Sequence, residues 1–403
     1  MTKEADASQD AIDAIAVVTA RVMKSLHGFT NDFPKLSEHD QDLKMSTFKP
    51  DRSDFPVPDL VHFMMRHVVK WKMSGPEEKV RWTAYGSVDG SPVFLQMRKF
   101  GFTIGVEKGS GLSPQRVVGQ LKAGLKEVEK FLEPYAKHQV ETGNVTIANR
   151  FYEFEDRYRF FRDLADKAYR RANTSRRKKT IASTGKPTGG FMSDIVAEVN
   201  RSTEANREGF YYSTAMIDAY FSALEHRLVL LRAFTGTAFA NSAVLSLLAA
   251  RWDEKLKLVV PAIEAKRMAP ILGKMRDIKE RIRNPFAHGG NENDRGSLFF
   301  HLPQIGAIPA NFSGFGRSVR FTVVPIESHS HVEICRTFDQ LDALLENGPL
   351  DRPHRMIRAS IDPSFDARVI KEYADAISGT EEDFKHYLDW WGKEWERHAN
   401  MDY

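Results

Sequence analysis

Three residues in one short segment, Arg283, Asn284 and His288, have the types and spacing to handle a phosphate ester. An imidazole titrates near neutrality and can give or take a proton there. A guanidinium keeps its charge and offers paired donors to phosphate oxygens. Asn284 lies four residues before His288, hence on much the same helix face, where its amide could orient the imidazole or the phosphate. Arg283 and His288 are five residues apart, about 140° around an ideal helix, so an unbroken helix would not aim them together. Pro285 removes one helical hydrogen bond and bends the axis. Such a kink could swing both side chains toward one phosphate, or the site could form across two subunits. The same residues also suit a plain helix end, with His288 favoured by the dipole and Gly289 as the stop.

Spacing alone does not single out this segment. Arg21 with His27, Arg295 with His301 and Arg281 with His288 fit an equally loose template. What distinguishes Arg283 is its context: an Arg-Asn pair, then Pro-Phe-Ala-His-Gly, after a strongly amphipathic run. In this the stretch Arg281-Ile-Arg-Asn-Pro-Phe-Ala-His-Gly-Gly290 resembles the signature of the HEPN superfamily, an Arg, a polar residue and a His near a helix end. The resemblance covers roughly residues 205 to 345, about a third of the chain. It implies an all-helical bundle and metal-independent endoribonuclease chemistry with no cofactor, in which the RNA 2′-hydroxyl attacks. The products would be a 2′,3′-cyclic phosphate and a 5′-hydroxyl. It further implies catalytic roles for Arg283, Asn284 and His288, a supporting role for Glu225, and a homodimer with both motifs in one cleft. Proteins of this kind resemble abortive-infection and toxin-type defence effectors. The expected partners are therefore RNA (tRNA or mRNA) and an antitoxin or a phage-derived trigger. The competing expectation is a non-catalytic HEPN scaffold that binds RNA, nucleotide or a protein partner.

The segment must be held by helices. Apolar positions at helical spacing predict helices over Phe210–Phe234, Ser242–Val260 and Lys266–Arg283, joined by short connections that favour an antiparallel bundle. Strand-like runs follow at Ser297–Leu302, Val319–Ile326 and His331–Thr337, then a helix over Phe338–Leu345. The tail reads as helices over Phe365–Ile377 and Glu381–His398, the latter opened by a capping box of Thr380 and Asp383. Towards the N-terminus, Asp10–Lys24 and Leu60–Lys72 look helical, while Thr30–Pro58 looks irregular. Between Val80 and Val106, aromatic and β-branched runs flank an Asp-Gly, which predicts an antiparallel sheet of about three strands. Helices return over Ser113–Ala136 and Ile147–Arg171. Thr174–Gly190 has the composition of a linker and sets the expected main boundary. The fold class is mostly α with a small β component: an N-terminal α+β module (1–190), a HEPN-like bundle with a strand insertion (191–345) and a helical tail (346–403).

The 403 residues carry a formal net charge of only +4, but the charge is uneven. Between Arg157 and Lys179 ten basic residues face only Asp163 and Asp166. Such a stretch attracts polyanions, and Arg170, Arg171, Arg176, Arg177, Lys178 and Lys179 are the RNA-binding candidates. It can equally be a solvated helix face followed by a basic loop. His329, His331, Glu333 and Cys335 would share a strand face, yet zinc sites draw ligands from separate turns, so no metal site is assigned. Trp390, Trp391 and Trp395 read as core or subunit interface. Cys335 stands alone, so no internal disulfide is possible, and no apolar run approaches a membrane span; a cytoplasmic protein is expected. Phosphate-binding Gly-rich loops, His-Glu-x-x-His and Gly-x-Ser-x-Gly are absent from the sequence, which disfavours a nucleotide-driven motor, a zinc protease and an α/β hydrolase.

Overall fold

The computed structural model describes residues 16–33, 44–182, 191–236, 243–283, 298–313, 318–320 and 328–401. The described chain is mostly helical with small antiparallel sheets. It divides into two compact units, one of residues 1–140 with 385–403 and one of residues 141–384. No helix among the described residues is long and apolar enough to cross a membrane.

In the first unit a helix over residues 16–25 (α1) precedes β1 (Phe29–Thr30) and β2 (Met45–Phe48). Then come α2 (Pro58–Phe63), β3 (Lys72–Ser74), β4 (Val80–Val88), β5 (Ser91–Arg98), β6 (Gly101–Glu107) and α3 (Pro114–Thr142). The strands form one antiparallel sheet in the order β1-β4-β5-β6-β2, with β3 on β4. The expected Asp-Gly turn joins β4 to β5, and Asp89 and Gly90 both take positive φ, as a tight hairpin requires. Ala84, Val88, Val93, Leu95 and Ile104 are fully buried with Val117, Leu121 and Val128 of α3. The irregular stretch expected over Thr30–Pro58 contains the short strand β2, paired with β6.

The second unit is built on two long helices, α4 (Phe151–Ala182) and α5 (Phe191–Phe234). Their pairs run in opposite chain directions: Arg171 with Glu208, Arg157 with Asp218, and the Arg150 N–H with His226. They are antiparallel. The expected boundary at 190 is thereby corrected. The Ser, Arg and Lys of 175–179 continue α4 instead of forming a linker, since Arg and Lys are good helix formers. The division falls after Val140. Next come α6 (Ala243–Ala249), α7 (Trp252–Val259) and α8 (Ala265–Ile278), then a wider π turn over Lys279–Arg283. Strands β7 (Leu298–Leu302), β8 (Gly306–Ser313) and β9 (Ser318–Arg320) form an antiparallel sheet. Helices α9 (Ser328–Glu346), α10 (Asp351–Arg358), α11 (Ala367–Ser378) and α12 (Glu381–Asn400) complete the chain.

The stripe expected on α5 is the core: Ile217, Tyr220, Phe221, Leu224, Leu228 and Leu231 are all buried. Phe338 of α9 stacks on Tyr220 at 3.8 Å. The strand expected over His331–Thr337 is instead the first half of α9, so His331, Glu333 and Cys335 do not share a strand face. The tail is no separate element up to Phe384 either. Asn149 donates to the Ile357 and Ile361 carbonyls, and Tyr373 meets Phe234 edge to face. The capping box of α12 forms as expected, with Thr380 Oγ1 accepting from the Asp383 N–H at 3.1 Å. Trp390 and Trp395 are exposed, not core.

Candidate functional site

Arg283 is the last described residue before the motif continues, and it closes the π turn that follows α8. Isolated π turns recur at functional sites. Behind it Met268, Leu272, Met275, Ile278 and Ile282 are buried, which fixes α8 against the bundle. The guanidinium is about one-third exposed, and its Nε donates to Asp218 Oδ1 at 3.3 Å. Asn284 and His288 lie outside the described residues.

Asp218 sits on the exposed edge of α5. Its other oxygen lies 3.8 Å from Arg157 Nη2 of α4, so one carboxylate stands between two arginines. Glu225, expected beside Arg283, is seven residues further along the same helix. It lies 3.8 Å from Lys255 Nζ and 3.9 Å from Lys279 Nζ. Among the described residues the carboxylate on Arg283 is therefore Asp218, and Glu225 serves the neighbouring lysines. Nothing beside Asp218 in the sequence marks it as the partner of Arg283. Lys279 also lies over the rings of Phe221 and Trp252, 5.5 and 5.7 Å from their centres. Burial pushes its pKa below the ordinary lysine value, Glu225 opposes the shift, and Arg283 adds to it.

The basic stretch is largely neutralised where its side chains are described. Arg159 pairs with Glu155, Arg162 with Asp339, Lys167 with Asp163 and Arg171 with Glu208. Arg170 Nε donates to the Asp166 carbonyl. Arg170 and Arg171 do line a surface groove, but Arg201 shares it with Glu198, Glu204 and Glu208. Arg176, Arg177, Lys178 and Lys179 lie on α4, with side chains outside the described residues.

Two further polar clusters are buried in the bundle. Nδ1 of His331 is 2.9 Å from Ser213 Oγ, and its Nε2 is 3.0 Å from Asp166 Oδ1. A neutral ring that donates to Asp166 and accepts from the Ser213 hydroxyl satisfies both contacts. Burial lowers the His331 pKa and favours that neutral form, against the pull of Asp166. The three residue types are those of a hydrolase triad, but Ser213 and His331 are buried, so no substrate reaches them. They tie α4, α5 and α9 together. Cys335, one turn on, is buried with its thiol pushed up to about 12, so it is no nucleophile. No group of three or more His, Cys, Asp or Glu side chains among the described residues is arranged to hold a metal ion.

The second cluster lines a groove of about 620 Å³ between α4, α5, α9 and α10. At its base Arg227 donates to Asp342 at 2.6 Å, and Tyr220 donates to the same oxygen at 3.0 Å. Burial disfavours the Arg227 charge more than any single neighbour favours it, but Asp342, Tyr220 and Glu346 together outweigh burial and raise its pKa. Arg227 Nε and Nη1 and His354 Nε2 are buried without a hydrogen-bond partner among the described residues. Glu346 stands 3.6 Å from the arginine and 3.7 Å from the imidazole. Burial raises the Glu346 pKa, and burial with the Arg227 and Arg358 charges lowers that of His354 to about 3.

Neither a family model, nor a curated protein, nor a solved structure matches the chain.

Proposed function

We propose that the protein is a HEPN-type, metal-independent endoribonuclease acting in the cytoplasm, and that it serves as a toxin or anti-phage effector. One observation supports this most: Arg283 leaves a π turn at the edge of a helical bundle, partly exposed and oriented by Asp218. It directly precedes Asn284 and the Pro-Phe-Ala-His288 that completes the motif. In this reading Arg283 holds the scissile phosphate, and His288 moves the proton of the attacking 2′-hydroxyl or the leaving 5′-oxygen. Asn284 orients one of them. Two copies of the chain pair to bring both motifs to one cleft, and the first unit selects the RNA or senses the trigger.

The test is incubation of purified wild type, Arg283→Ala and His288→Ala with total RNA and a tRNA pool in EDTA. The reading expects cutting by wild type alone. Cutting by all three would move the active site elsewhere. The ion pair of Arg283 with Asp218 also favours a second reading, since a helix end held by a salt bridge is what a non-catalytic scaffold would need. Absence of cutting by wild type, with or without extract from phage-infected cells, would select that scaffold.

A further inference from the structure

Four cationic side chains from three separate elements meet on one edge of α5. Asp218 stands between Arg157 of α4 and Arg283, at 3.8 and 3.3 Å. Two turns along, Glu225 stands between Lys255 of α7 and Lys279 of the π turn, at 3.8 and 3.9 Å. Four cations against two carboxylates leave two positive charges in excess. The neighbouring Asp253 does not cancel them, because it is already paired with Arg276 at 2.6 Å and lies 3.5 Å from Arg251. Arg251 is in turn 3.6 Å from Glu254. Each partly desolvated cation raises the cost of the next, so this surplus is held at an electrostatic cost. Lys279 registers this, held below its ordinary value by burial and then by Arg283 and Arg251 against the pull of Glu225 and Asp253.

We infer that Arg157 and Lys279 flank Arg283 as contacts for the RNA phosphates next to the scissile one. Asp218 acts as a positioning residue that sets the two arginines side by side. This rests on the nuclease reading for the identity of the anion, and on the ion-pair geometry for the residues. A run of phosphodiesters suits the arrangement better than one compact anion, since the cations are spread along two turns of α5. Arg157 is half exposed and Lys279 about one-fifth exposed at that edge.

The experiment measures binding apart from cutting. A fluorescein-labelled single-stranded RNA with 2′-O-methyl groups, which lacks the attacking hydroxyl, is titrated with the full chain in EDTA over a range of salt. Arg157→Ala and Lys279→Ala should each weaken binding several-fold at low salt. Each should also lower the slope of log affinity against log salt by about 0.7, the loss of one phosphate contact on a single strand. Arg157→Lys should restore most of both effects. Arg267→Ala, which removes an exposed arginine paired to Glu264 elsewhere in the unit, should change neither. Circular dichroism and melting confirm that each variant is folded. Wild-type affinity and slope in Arg157→Ala, or losses no greater than in Arg267→Ala, would overturn the inference. So would full displacement of the RNA by AMP at equal phosphate concentration, which would make the ligand a single nucleotide. If the chain binds this RNA through Arg157 yet never cuts unmodified RNA, the nuclease reading fails, and of the inference only the phosphate contacts of Arg157 and Lys279 stand, with no scissile phosphate beside them. If it cuts RNA while Arg157→Ala binds and cuts like wild type, the inference fails alone.

Discussion

Replacing Asp342 by Ala should destabilise the second unit severely, and the structure says by how much. Arg227 is 5% exposed, and its one hydrogen bond to a described partner is to Asp342 at 2.6 Å. Two more of its nitrogens already lack a hydrogen-bond partner among the described residues. Breaking a buried pair from one side costs about 3–5 kcal/mol, because the charge left behind has no compensation. Glu346 at 3.6 Å could swing toward the guanidinium, and Tyr220 keeps the Phe338 carbonyl as a partner, so the lower end of that range applies. For a unit of this size about 3 kcal/mol is a fall of roughly 6–12 °C in melting temperature. Urea titration followed by near-ultraviolet dichroism reads the loss independently. Asp342→Ala combined with Arg227→Met should recover most of it, since an apolar side chain of similar length fills the site without a charge. A loss below about 1 kcal/mol in the single variant, or no recovery in the double, would refute the reasoning.

Acid should weaken the fold through His354. Its folded pKa, about 3, lies below the ordinary 6.5, so the neutral ring is the folded form and protonation favours unfolding. Its contribution is complete above pH 6.5 and is lost as pH falls toward 3, at about 1.4 kcal/mol per pH unit. His354→Phe should flatten that limb in urea titrations at pH 6.5 and 5, and parallel losses in both proteins would contradict the assignment. Gly86→Ala should destabilise the first unit by about 1–3 kcal/mol, because a Cβ there would lie 2.2 Å from the buried Trp71 ring. Unchanged thermal stability of Gly86→Ala would mean that the indole moves freely. In the second unit, His331→Ala should cost about 1–3 kcal/mol by leaving the buried Ser213 hydroxyl without its partner. A chemical-denaturation midpoint equal to that of wild type would deny the cluster its role.

Much of the architecture could be read from periodicity. The α5 stripe from Ile217 to Leu231 keeps a 3.6-residue period over four turns, and the Asp89-Gly90 turn marks β4 and β5. Short elements escaped, since β1 has two residues and β2 four, too few to show alternation. The start of α9 looks like a strand in the sequence because His331, Glu333 and Cys335 alternate over a few residues. The longer run His331, Ile334, Cys335, Phe338 and Leu341 is helical, and all five are buried. Residues 174–182 look like a linker because they are basic and poor in apolar residues, yet nothing in them breaks a helix. At the site, Arg283 stood out by its neighbours in sequence. Asp218 did not, because a carboxylate 65 residues away reaches an arginine only through helix packing.

The central claim is tested most directly by single-turnover cutting of an end-labelled RNA and its fully 2′-O-methylated counterpart in EDTA, by wild type and by His288→Ala. The account predicts that only wild type cuts, that only the unmodified RNA is cut, and that the products carry 2′,3′-cyclic phosphate and 5′-hydroxyl ends. Cutting of the 2′-O-methyl RNA, or equal cutting by His288→Ala, would contradict it.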